Sequence, residues 1–256
     1  MKNWRRLQFH GSRDDLVAQV LFESITDCPM LAAMTANTHT FGRFDDALDD
    51  LRKSVLTMAS MTQRNLANVC RGLLERNSAL CKEVIGEDDE VDELERRIDR
   101  EGMEIILRYA PVARDLRQVL GSMKIASNLE RVSDQAVNIG RRTRKMNKHP
   151  EVSEAKKLEP LFQMATDLIE DSVKAFSGED VELAMDVIAR DKELDRRHKT
   201  LIKEFTARME SDQDNLRTYL HLTFVTRFLE RVGDHAVNIA EDTVFIREGS
   251  DIRHGN

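Results

Sequence analysis

Glycine and proline are scarce in this chain, 11 and 4 among 256 residues. So few turn formers argue against folds built from many short strands and tight loops. The three cysteines, Cys28, Cys70 and Cys81, are odd in number and form no CxxC pair. That excludes a disulfide framework and reads as reduced thiols in a cytoplasmic protein. No apolar run approaches the roughly 18–20 residues that span a bilayer, so direct membrane insertion is not expected and any membrane contact goes through a partner. The opening MKNWRRLQFHGSRDD has an arginine pair without an apolar stretch behind it, unlike a secretory or twin-arginine signal. Net charge is −7, which leaves no global basic field for nucleic acid or an anionic membrane. No P-loop, glycine-rich phosphate cradle or nucleophile–base pairing is evident, and an enzyme is not expected.

What the chain does have is helix-forming sequence. Hydrophobic residues are 41% and charged residues 33%, a globular balance rich in Leu, Ala, Glu, Arg and Met. From Phe44 the apolar residues recur at helical spacing: Leu48, Leu51, Val55, Met58, Leu66, Val69 and Leu73. Asn77 or Ser78 can cap a second helix, whose stripe runs from Leu80 through Val84, Val91, Leu94, Ile98 and Ile105 to Tyr109 before Pro111. A third begins near Asp115 and ends in the basic segment RRTRKMNKHP, residues 141–150, which reads as a linker. Three more helices follow, over about 158–176, 181–209 and 214–246. Strand patterns are absent.

The two halves repeat each other. Residues 130–140 read ERVSDQAVNIG and residues 230–240 read ERVGDHAVNIA, identical at eight of eleven positions. Asp115-Leu116-Arg117 matches Asn215-Leu216-Arg217 at the same offset of 100. In the middle helices the offset becomes 103, placing Leu80, Val84, Asp88 and Asp92 on Leu183, Val187, Asp191 and Asp195. The expected fold is therefore all-α, with two tandem three-helix bundles. Residues 41–146 hold the first repeat and 151–248 the second. Residues 1–40 are an N-terminal extension, in which Ser12 to Met34 reads as an amphipathic helix broken near Pro29.

Each third helix carries a Glu and an Asp four residues apart, Glu130/Asp134 and Glu230/Asp234, and each middle helix a similar pair, Asp88/Asp92 and Asp191/Asp195. Groups at that spacing share a face, and like charges there repel. At ~100° per residue the stripe Ile125, Leu129, Val132, Ala136 and Ile139 spans about 40° to either side, with Glu130 and Asp134 roughly 140–180° from it. The pair thus faces solvent or an interface, and a middle-helix pair can converge on it. Two readings stay open at this point. Four carboxylates without cysteine suit a hard cation, Mg²⁺, Mn²⁺ or iron. Alternatively they form a solvated charged face, with Arg131, Arg227 and Arg231 as ion-pair partners. A buried ferritin-type centre is excluded, because inward Glu-x-x-His pairs are missing. Asn138/Asn238 and Arg117/Arg217 also repeat, the arginines as helix-end braces. His198, His221 and His235 read as isolated core or surface residues. Gly102, Gly121, Gly140 and Gly233 read as sites of close helix approach.

Taken together, Pro111–Arg117, Leu129–Ile139 and Leu229–Ile239 resemble the PhoU family of phosphate-transport regulators, over about residues 41–246. The resemblance implies a cytoplasmic, often homodimeric helical protein that negatively regulates the phosphate-starvation response. Its implied partners are the nucleotide-binding subunit of the phosphate ABC transporter and a sensor histidine kinase. It also implies metal ions (iron, zinc, manganese or magnesium) on Glu130, Asp134, Glu230, Asp234, Asp88, Asp92, Asp191 and Asp195. The residue before Leu-Glu-Arg, often Asp in the family, is Asn128 in one copy and Phe228 in the other. The second site is therefore expected to bind less tightly or differently. Service to a non-ABC phosphate transporter and a metal-dependent hydrolase activity are the alternatives.

Overall fold

The computed structural model describes the backbone of residues 29–253 and the side chains of residues 42–253. By contact the chain divides into two units, residues 1–47 and 48–256, and the architecture below is that of the second. Among the described residues seven α-helices follow one another: α1 Pro29–Leu74, α2 Ser78–Gly86, α3 Asp88–Tyr109, α4 Ala113–Met146, α5 Glu159–Gly178, α6 Val181–Ser211 and α7 Leu216–Glu248. Short 3-10 turns precede α5 and α7. No strand occurs among the described residues. The expected helix over Ser12–Met34 lies outside them except from Pro29, where α1 starts.

One expected helix is two. The stripe from Leu80 to Tyr109 breaks at Glu87, between α2 and α3. Glu87 still donates its N–H to Glu83 O, and its carboxylate holds Arg64 at 2.9 Å. Gly86 is a weak helix residue, and three acidic residues, Asp88, Asp89 and Glu90, follow as the first turn of α3. Acidic groups favour a new N-terminus, where the backbone N–H groups are free, over a helix interior. Asn77 caps α2 as expected, accepting from the N–H groups of Ala79 and Leu80 at 3.0 and 3.4 Å. Segment 141–150 is also more than a linker: α4 continues through Met146, which is buried. Arg76 donates to the carbonyls of Asn147 and His149 beyond it.

The third helices of the two repeats, α4 and α7, lie antiparallel at the centre. Arg117 donates to Ile246 O at 3.3 Å, Lys124 pairs with Asp242 at 3.6 Å, and Asn128 accepts from Asn238 at 3.1 Å. Further along, Arg142 reaches His221 at 3.3 Å and lies 4.0 Å from the centre of the Phe224 ring. Residue numbers rise along one helix as they fall along the other. Each third helix is therefore covered on one side by its own repeat and on another by its opposite number. Ile125, Leu129, Val132, Ala136 and Ile139 are all buried, but so are Ala126, Val137 and Gly140 outside that stripe. The small residues serve the approach: a Cβ on Gly121 would fall 2.4 Å from Ile246 Cδ1. Cys81 is buried and Cys70 half-buried, neither in a disulfide, and burial pushes both thiols up to about 11.

Leu129 is fully buried on the central helix. Leu129→Ala is expected to cost about 2–5 kcal/mol of stability, through lost transfer energy and a residual cavity. Asn77→Ala, which removes a cap from a short outer helix, should cost only about 1 kcal/mol. Urea unfolding of the two variants beside the parent checks both the size and the order.

Candidate acidic sites of the two repeats

Each acidic pair of a third helix sits where the middle helix of its own repeat packs against it. In the first repeat α3 brings Asp88, Asp92 and Glu95 within electrostatic reach of Glu130 and Asp134 on α4. In the second, α6 brings Asp191 and Asp195 to Glu230 and Asp234 on α7. The structure thus joins the four residues singled out in each half into one cluster. The two clusters are separate, one per repeat. As the side chains stand, no three His, Cys, Asp or Glu groups among the described residues converge tightly enough to hold one ion.

These carboxylates are less open than the helical wheel implied. The Glu130 side chain is only 16% exposed, because the middle helix covers that flank of α4. Burial, then the charge of Asp134, pushes Glu130 up to about 7. Asp88 is raised by burial, then by Asp134 and Asp92, with Arg141 opposing. In the second repeat burial, then Asp195, Asp234 and Glu230, raises Asp191 to about 6. Glu230 and Asp234 are raised too, first by burial and next by Asp234 and Asp195 respectively. Clustered carboxylates held partly out of water favour the protonated form, or a cation in the proton's place.

The clusters differ in how their charge is offset. In the first repeat Arg131 stands 3.4 Å from Glu130 and 3.9 Å from Asp134, and Arg141 stands 3.9 Å from Asp88. Arg131 thus stands beside both carboxylates of its own helix. In the second repeat Asp195 pairs with Lys199 at 3.4 Å. Arg227 and Arg231, expected to pair with Glu230 and Asp234, act only from beyond ion-pair distance. Asp191 Oδ1 is buried and accepts no hydrogen bond among the described residues. It lies in a cradle that only glycine leaves open, since a Cβ on Gly233 would come within 2.5 Å of it.

Neighbours missed in the sequence complete the picture. His198 lines a groove with Glu230, Asp234, Arg227 and Arg231, within electrostatic reach of both carboxylates. Glu95 acts on Glu130 in the first repeat. The offset of 103 places these two residues in register, a signal present in the sequence but read there as an isolated histidine. Asn128 points away from its own cluster. It accepts from Asn238, and its Oδ1 meets His235 Nδ1 at 3.0 Å across the α4–α7 seam. In the first copy the residue before Leu-Glu-Arg thus serves the helix seam. Asn238 also borders the second cluster, in a groove shared with Asp191, Asp234 and Arg253.

The raised carboxyls give the cation-free protein a pH dependence of definite sign. Glu130 rises from 4.5 to about 7 and Asp191 from 3.8 to about 6, so the folded chain holds protons that the unfolded chain has released. Their contribution is fully present below the ordinary carboxylate range and is lost as pH rises through these folded values. With chelator present, the urea midpoint should fall between pH 5 and 8. Glu130→Gln should flatten that slope, and an unchanged slope in the variant would refute the assignment.

Comparison with known proteins agrees with this two-fold plan. A family model described as the PhoU domain matches residues 55–143 and again residues 158–243. The phosphate-specific transport system accessory protein PhoU homolog of Xylella fastidiosa strain Temecula1 is 31% identical over 213 residues, 83% of this chain and 88% of that protein. Its namesake from Pseudomonas aeruginosa is 30% identical over 84% of this chain and 90% of that protein. The crystal structure of PhoU from Pseudomonas aeruginosa superposes with a TM-score of 0.79 at 30% identity, covering 81% of this chain and all of the other. The phosphate transport system regulatory protein PhoU of Streptococcus pneumoniae, 22% identical, shares the fold with a TM-score of 0.76 over 82% of this chain and 99% of that one. With both of its repeats matched, and relatives of this identity along most of its length, the chain belongs to the PhoU family.

Proposed function

We propose that this protein is an accessory and regulatory protein of a phosphate transport system. The observation that carries the reading is the double match to the PhoU domain, together with relatives named as accessory proteins of phosphate-specific transport. On this reading the chain works without catalysis, in the cytoplasm, as a homodimer. It docks between the nucleotide-binding subunit of a phosphate ABC transporter and a sensor histidine kinase, and favours the kinase's off state. Such an adaptor is a peripheral protein: no described helix is long and apolar enough to cross a membrane.

The acidic clusters are proposed as cation sites. Their donors are carboxylate oxygens, the ligands that hard divalent and ferric ions take. The buried, unpartnered Asp191 Oδ1 in its glycine cradle fits such an ion. Glu130, Asp134, Asp88 and Asp92 would hold it in the first repeat, and Glu230, Asp234, Asp191 and Asp195 in the second. Its positive charge would offset the repulsion among half-buried carboxylates, so that occupancy tightens each middle helix on its third helix. The side chains must turn inward to close on it, since they do not converge as they stand.

Deleting the protein should leave phosphate-starvation genes on in high phosphate; unchanged repression would count against the regulatory reading. For the cation sites, the protein purified without chelator or affinity tag should carry near-stoichiometric metal by elemental analysis. A folded Glu130→Ala/Asp134→Ala/Glu230→Ala/Asp234→Ala variant should carry none. Equal metal in both, or failure of the parent to bind under replete conditions, would end the cation reading while leaving the regulatory one standing.

A further inference from the structure

The seam between α4 and α7 closes differently at its two ends. Where α4 begins and α7 stops, charge is balanced within the chain: Lys124 pairs with Asp242 at 3.6 Å, and Arg117 donates to Ile246 O at 3.3 Å. Where α4 stops and α7 begins, the offset of 100 puts Arg142 in the place of Asp242, Lys145 in that of Phe245 and Phe224 in that of Lys124. The carboxylate has gone from the pair, and a second cation has arrived beside it.

The Arg142 guanidinium rests 4.0 Å from the centre of the Phe224 ring, which stacks on Phe228 at 6.4 Å, and it comes 3.3 Å from His221 Nδ1. A guanidinium has donors only, so Nδ1 accepts and the His221 ring is neutral, with its proton on Nε2. Burial, then Arg142, Lys145 and His149, holds the ring below its ordinary pKa, and every charge that acts on it is positive. The outer face of α7 continues the patch. Arg217, Leu220, Phe224, Arg227 and Arg231 recur at steps of three and four, so they form one stripe. That stripe runs for roughly 21 Å, about four helical turns. Its arginines are exposed, and Leu220 is 41% exposed. Neither these arginines nor Arg142 and Lys145 form an ion pair among the described residues. Arg227 and Arg231 feel Glu230 and Asp234 only from beyond that distance.

We propose that this end of the α4–α7 seam docks an acidic, amphipathic helix of a partner protein, its apolar face on Leu220 and Phe224 and its carboxylates on Arg142, Lys145, Arg217 and Arg227. The inference builds on the reading of the chain as a docking protein, adds the face and the chemistry of one partner, and stands apart from the cation reading. Arginine and aromatic side chains are what interfaces gather, and unpaired cations select for carboxylates. A helix fits because the stripe is narrow, and helix recognition uses anchors at these spacings. A bilayer is broad and would also meet Glu230 and Asp234, which line a groove with Phe224, Arg227 and Arg231. It would meet them on a chain of net charge −7, which repels anionic lipid.

The test uses the full chain. A fluorescein-labelled peptide of about 18 residues, roughly 27 Å long as a helix, carries leucines at helical spacing on one face and glutamates on its flanks. It is titrated by anisotropy beside a scrambled peptide of the same composition. The ordered peptide should bind more tightly than the scrambled one, and binding should weaken as salt screens the charges. Lys145→Glu/Arg217→Glu, at two exposed positions, should weaken it by roughly tenfold or more, because like charges then face each other. Leu220→Ser should weaken it too, whereas Lys82→Glu/Lys192→Glu, the same change of net charge elsewhere on the surface, should leave it unaltered. In cells, a benzophenone amino acid at position 220 should cross-link to a helix of another protein rich in Asp and Glu, mapped by mass spectrometry. Equal binding of the two peptides, or an undiminished affinity in Lys145→Glu/Arg217→Glu, would overturn the inference. So would cross-links carried by phospholipid or by a second copy of this chain. If the face fails while deletion of the protein still leaves phosphate-starvation genes on, the regulatory reading survives without it.

Discussion

The antiparallel seam between α4 and α7 is the constraint from which the other features follow. Each third helix is buried against its own repeat and against the opposite one, so most of its circumference is lined with small or apolar residues. Most of the charged side chains are confined to the arc that remains. Glu130/Asp134 and Glu230/Asp234 occupy the edge of that remaining arc, where the middle helix crosses. Burial on this edge is incomplete, and water and neighbouring charges share in setting each carboxyl. The seam thus explains why the acidic groups are raised in pKa without being sealed in the core.

The same seam shows how a duplicated unit diverges. Lys124 faces Asp242 at one end, and Lys124 also lies 5.3 Å from the centre of the Phe245 ring. At the other end the equivalent pair is Phe224 and Arg142, and an ion pair has become a cation on an aromatic face. Both link the third helices, but one uses opposite charges and the other a ring quadrupole. Burial leaves Asp242 raised even beside Lys124, so that pair is not free of desolvation cost. Divergence of the two acidic clusters follows the same course: equivalent positions, different chemistry.

Helix content, the two-fold repeat and the acidic phrases were legible in the sequence, because each depends on short-range spacing. Apolar period, the Asn77 cap and the stop before Pro111 are local rules, and they led to elements close to those observed. The four carboxylates of each half were likewise picked out by spacing alone, and even their convergence was within reach of the wheel. The break at Glu87 was harder to see, since the apolar stripe runs through it and only the switch in acidic residues marks a new helix start. Segment 141–150 looked like a linker from its charge, yet Met146 is buried and α4 continues through it. A basic composition says nothing of what a helix packs against.

Sequence by itself therefore determined the class of fold, the duplication and the identity of the acidic residues, through periodicities that need no knowledge of distant contacts. Tertiary structure decided the rest: the antiparallel seam, the pairing of Arg131 and Arg141 with the first cluster, the seat of Asn128 across the seam, and the place of His198 beside Glu230 and Asp234. These depend on which helix faces which, and at what depth. Such facts are set by long-range packing of whole helices, where the partners of Asn128 lie more than a hundred residues away and no local period records them.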